Sequence, residues 1–95
     1  MFSIIEQIIA NHFGITHEEL LTSSTRPASD ARHFLWYILH AVLGYSSNYI
    51  GKHYGVSSRN VLHYSSSVKD GIRYQPFYAR NFRGIQSKLK ILDLI

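Results

Sequence analysis

Ile4, Ile5, Ile8, Ile9 and Phe13 recur at the i, i+4, i+5 spacing of one helical face, and Gly14 follows where a left-handed stop belongs. The spacing predicts a first helix ending there. Thr16 and Glu19 stand three apart, as in a capping box, where each side chain serves the other residue's free backbone N–H; a short second helix is expected to about Leu21. From Thr22 to Ser29 the chain is polar and contains Pro27, which reads as a loop. Ser29 or Asp30 can then cap a long amphipathic third helix carrying Phe34, Leu35, Ile38, Leu39, Val42 and Leu43, with no Gly or Pro before Gly44.

In the second half, the stretch from Ser46 to Asn48 supplies another N-cap ahead of Tyr49, Ile50 and Tyr54, and Gly55 closes this short helix. Ser57 or Ser58 caps the next one. There Val61, Ser65, Val68 and Ile72 recur at i, i+4, i+7 and i+11, a buried stripe running to Gly71 or Ile72. After Gln75, Pro76 fits the first turn of a last helix with Phe77, Phe82, Ile85, Leu89 and Leu92 on its inner face. No strand-like alternation or repeat interrupts these patterns. The expected fold is all-α: a compact bundle of about six helices in one domain over residues 1–95.

Composition and charge narrow the function. With 45% apolar and 14% aromatic residues, the chain can build a core without staples, and the absence of cysteine removes disulfides, thiolate metal sites and thiol nucleophiles. Glu6 interrupts the first apolar run, so neither a signal peptide nor a membrane span is expected, and the protein reads as cytoplasmic with no membrane partner. Two basic and four acidic residues precede Gly51, whereas eight basic and two acidic residues follow from it, so the halves carry −2 and +6. A basic C-terminal half suits a polyanion, because each neutralised phosphate releases condensed counterions.

The pieces from about residue 46 to 72 (short helix, glycine-containing turn, second helix) have the layout of a helix-turn-helix. Gly51 inside a helix costs about 0.8 to 1 kcal/mol relative to Ala, so a close helix crossing is expected to require it; Gly55 sits where positive φ turns the chain. Opposite the buried stripe, the fifth helix presents Arg59, His63, Ser66 and Asp70, flanked by Asn60 and Ser67. Near its start Ser57, Ser58, Arg59 and Asn60 supply base-reading chemistry: Arg can donate bidentately to guanine, Asn can pair with adenine, and hydroxyls take either role. Lys52, on the preceding helix, suits a phosphate.

The order and spacing of these elements resemble the C-terminal DNA-binding domain of the bacterial replication initiator DnaA. The matching runs are IIANHFGITHEELL, TRPASDARHFLWYIL and SSNYIGKHYGVSSRNVLHYSSSVKDGI. Within the last, Ser46, Ile50, Gly51, Tyr54, Gly55, Val61 and His63 match the family pattern in place. The resemblance implies a double-stranded DNA partner, a role for Arg26 as an arginine entering the minor groove from the loop, a basic DNA-facing position for Arg32, and a protein partner in replication. The turn is one residue shorter than the family's, and Val56, Ser57, Ser58, Arg59 and Asn60 replace its Arg-Asp-His-Thr-Thr, so the family's target box does not carry over. No Walker A loop is present, so the initiator's ATPase is not expected of this chain.

Other chemistry finds less support. No two of the six histidines stand at i, i+3 or i+4 on one helix, so no metal is expected, and no serine has the strand-turn-helix setting of a nucleophile. The expectation is a binding protein without cofactor, small-molecule substrate or enzymatic activity. Phe34, Trp36, Tyr37, Tyr49, Tyr54, Tyr64, Phe77 and Phe82 fall at helical spacing that favours core packing over stacking on single-stranded bases. One competing reading remains: a protein-interaction module whose helix-turn-helix no longer reads DNA and whose basic last helix meets an acidic partner.

Overall fold

The computed structural model describes residues 2–95 and contains α1 (Ser3–His12), α2 (His17–Thr22), α3 (Arg26–Tyr37), a π-helical turn (Ile38–Val42), α4 (Ser47–Tyr54), α5 (Ser58–Tyr74) and α6 (Pro76–Ile91). No strand occurs among the described residues. The all-α bundle expected from the spacing is therefore the observed one, and three of its helices, α2, α4 and α5, open on side-chain caps. The Thr16 hydroxyl accepts from Glu19 N at 3.0 Å while the Glu19 carboxylate accepts from Thr16 N at 2.9 Å, completing the capping box. Ser46 and Ser57 each accept from the backbone N–H three residues on, at 3.1 Å, and open α4 and α5.

Three boundaries differ from expectation. The expected loop from Thr22 to Ser29 contracts to a short link, because α3 begins at Arg26 with Thr25 as its N-cap residue. Pro27 falls in the first turn, where its fixed φ suits the helix and no intrahelical partner is due to its missing N–H. At the other end of α3 the regular α-helix stops at Tyr37. Leu43 N donates to Ile38 O at 2.9 Å, an i to i−5 bond that widens the turn. The widened turn shifts the register, so Ile38 and Leu39 stay buried while Val42, expected inside, is surface-exposed. α5 also runs past Ile72 to Tyr74.

One hydrophobic cluster gathers Phe2, Ile9, Leu20, Phe34, Leu35, Ile38, Leu39, Ile50, Val61, Val68, Ile85 and Leu89. α5 packs on α3, α4 and α6, and α6 closes the bundle by also packing on α1. The α5–α6 contact is close: a Cβ on Gly71 would stand 2.5 Å from the Tyr78 ring. His12 Nε2 donates to Asn81 Oδ1 at 2.9 Å, and the Asn81 amide donates in turn to Phe77 O at 2.8 Å, linking α1 to α6. The inner face of α1 is rotated from the expected stripe. Phe2, Glu6, Ile9 and Ala10 point inward and Ile4 is 60% exposed, because Phe2 and the partnered Glu6 complete the face instead. On α6, Ile85 and Leu89 are buried, whereas Phe77 and Leu92, both expected inside, lie exposed at the helix ends.

Candidate nucleic-acid interface

The turn between α4 and α5 owes its shape to two glycines. Gly55 takes φ 71°, the left-handed conformation that stops α4 and redirects the chain. Gly51 is the contact surface against which that turn folds back: Val56 N donates to Gly51 O at 2.9 Å, and a Cβ on Gly51 would stand 2.6 Å from Val56 O. The close approach is thus to the turn's backbone rather than to the flank of another helix. Ile50 and Val61, one on each helix, are fully buried beside it.

α5 divides into two arcs. Val61, Ser65, Val68 and Gly71 are buried, with Ile72 partly so. Arg59, Asn60, His63, Ser66, Ser67 and Asp70 are all exposed on the other side, and Lys52 of α4 is exposed as well. Among the described residues neither Arg59 nor Lys52 forms an ion pair. Ser57 is committed to its cap and the half-buried Ser58 opens the helix, so the hydroxyls stand at the rim while Arg59 and Asn60 project beyond it. The free N–H groups of this first helical turn add positive partial charge at the same end.

Arg26 and Arg32 lie apart from that end. Arg26 opens α3 rather than sitting in a loop; its side chain is 89% exposed, with Asp30 Oδ2 at 3.8 Å. Arg32 is half-buried and donates through Nη1 to the Leu20 carbonyl at 2.8 Å, so part of its guanidinium fastens α3 to the end of α2. Beside Arg26 a groove of about 460 Å³ is lined by Asp30, His33, Tyr64, Ser67 and Tyr78, joining the start of α3 to the flank of α5. His33 stacks on Tyr64 at 3.8 Å with the rings 8° apart, and the edge of His63 meets the same tyrosine at 5.0 Å. Burial lowers the pKa of His33 below its ordinary 6.5; Asp30 pulls upward against this, while Arg32 and His63 push further down.

A polar knot beneath α4 escaped the sequence reading. Glu6, on α1, is 6% exposed. Its Oε1 accepts from His17 Nε2 at 2.7 Å and its Oε2 from the Tyr54 hydroxyl at 2.5 Å, so one carboxylate joins α1, α2 and the last turn of α4. Burial, followed by the Glu6 hydrogen bond and charge, raises the Tyr54 pKa well above its ordinary value. The position of α4 relative to α1 and α2 is therefore fixed by hydrogen bonds as well as by packing.

No known family pattern matches the chain, and no curated protein is significantly similar to it. No group of three or more metal-ligand side chains converges among the described residues, and none of their helices is long and apolar enough to cross a membrane.

Proposed function

We propose that this protein is a sequence-reading double-stranded DNA-binding domain, similar in kind to the C-terminal domain of the replication initiator DnaA. The observation that carries the reading is the outward arc of α5, where Arg59, Asn60 and His63 are exposed on a helix whose opposite arc is buried beside a glycine-clamped turn. In this reading the start of α5 enters the major groove, Arg59 contacts a guanine and Lys52 contacts a phosphate. Arg26, exposed at the start of α3, reaches the neighbouring minor groove, and the His33–Tyr64 groove lies over the backbone between them. The resemblance supports a role in replication initiation or its control.

The test is a selection from random duplex DNA, followed by binding of two variants to the preferred site and to scrambled duplex. Arg59→Ala is expected to flatten discrimination at one base pair by about 1 to 3 kcal/mol. Lys52→Ala should weaken every sequence alike and reduce the salt slope by about one. Parallel loss of affinity in both variants, or no preference in the selection, transfers the helix-turn-helix to the competing role of a protein-interaction scaffold.

A further inference from the structure

The basic half of the chain is not spent on α5. Between Pro76 and Ile91, α6 carries Arg80, Arg83, Lys88 and Lys90 and no acidic residue. All four are exposed, and none forms an ion pair among the described residues. With Ile85 and Leu89 buried and Tyr78 and Phe82 partly buried, the opposite arc of the helix holds Arg80, Arg83, Ser87 and Lys90 at i, i+3, i+7 and i+10. At a rise of about 1.5 Å per residue this stripe is about 15 Å long. One strand of duplex presents a phosphate about every 3.4 Å of axis, so such a stripe spans about four phosphates.

α6 meets α5 through Tyr78 at the buried Gly71, away from the exposed arc of α5, so the outer faces of the two helices point in different directions. We propose that the outer face of α6 is a second nucleic-acid surface, which grips the phosphate backbone of a duplex other than the one α5 would read. The chemistry separates this partner from the two other polyanions. A bilayer requires an apolar helix face, and that of α6 (Tyr78, Phe82, Ile85, Leu89) is turned into the core, leaving Ile91 as the large apolar side chain on the outer arc. An acidic peptide would need a hydrophobic pocket among the charges, and Ile91 stands alone at the end of the stripe, whereas forked guanidinium groups match phosphate oxygens. The surface is dominated by cations, with Ser87 its one hydroxyl, and should bind without regard to sequence.

The experiment uses the full chain, a short duplex fixed to beads and a free fluorescent duplex of unrelated sequence. The wild type should bind the beads and capture the free duplex, with a log–log salt slope for capture near about −2.7 from three phosphate contacts. The triple variant Arg80→Gln, Arg83→Gln, Lys90→Gln, with helicity checked by circular dichroism, should still bind the beads with its sequence preference intact and lose capture by about tenfold or more. Capture undiminished in the triple variant overturns the proposal. So does a wild type that captures no duplex but binds vesicles of phosphatidylserine and phosphatidylcholine through the same three residues. If the α5 reading alone is mistaken, the wild type binds the beads without sequence preference and captures no second duplex, and the triple variant loses the beads as well, so the two failures are distinguishable.

Discussion

Two polar clusters of this small bundle behave in opposite ways. At the buried Glu6 the polar atoms answer one another, with the half-buried His17 and Tyr54 occupying both carboxylate oxygens. Along the outer arc of α5, Arg59, Asn60, His63 and Ser66 face solvent, with the opposite side of the same helix sealed in the core. The first cluster is costly to disturb because the Glu6 carboxylate has lost water and holds only His17 and Tyr54 in its place. The second has kept its water and has little intramolecular work to do. Polarity by itself therefore does not separate a structural tie from a solvated face; a partner inside the chain does.

That contrast can be broken most severely at Glu6. Glu6→Ala should lower unfolding stability by about 2 to 4 kcal/mol in chemical denaturation, since it strands the Tyr54 hydroxyl and removes the tie among three helices. A loss as small as that of a surface substitution would show that the knot is ornamental. Gly51→Ala comes next, at about 1 to 3 kcal/mol, because the added methyl meets the carbonyl of Val56 and must displace the turn. Its effect should be accompanied by loss of duplex binding, the turn being what orients α5.

The outer arc should respond in the other direction. Arg59→Ala and His63→Ala are expected to change stability by no more than about 0.5 kcal/mol, and thermal denaturation would reveal any hidden structural role. The smallest effect is a pH dependence. Because burial lowers the His33 pKa, the unfolded chain takes up a proton first as the pH falls through 6.5, so the His33 contribution declines on acidification. His33→Phe, which keeps a ring against Tyr64, should make the fall in stability between about pH 7 and 5.5 shallower than in the wild type.

Much of the fold is legible because its signals are local. Thr16 with Glu19, Ser46, Ser57 and Gly55 each act within four residues of where they stand, and the 3.6-residue period of α5 separates Val61 from Arg59 without reference to any other helix. What escaped depends on partners or on residues with two uses. Pro27 serves a loop and a first helical turn equally well, and its polar surroundings favoured the wrong choice. Val42 was misplaced because period counting assumes an unbroken α-helix, whereas the chain widens at Ile38. Glu6 looked like an interruption because its partners lie 11 and 48 positions away. The candidate site divides along the same line: exposure of Arg59 and Asn60 follows from periodicity, while the anchoring of Arg32 to Leu20 and the His33–Tyr64 stack exist only once the helices are assembled.

The widened turn after α3 works as a joint of adjustable length. An α-helix that must gain or lose one residue ordinarily rotates everything beyond it by about 100°. Here the surplus residue is absorbed in a single loosened coil, with Ile38 and Leu39 still seated in the core and Val42 released to the surface. Gly44 and Ser46 follow at once, and Ser46 fixes where α4 begins. This coil thus sets the orientation of the α4–α5 unit together with the core contacts and the Glu6 knot, so a deletion at Ala41 that restored regular winding should set the coil against those contacts and lower stability while leaving each helix's own caps intact.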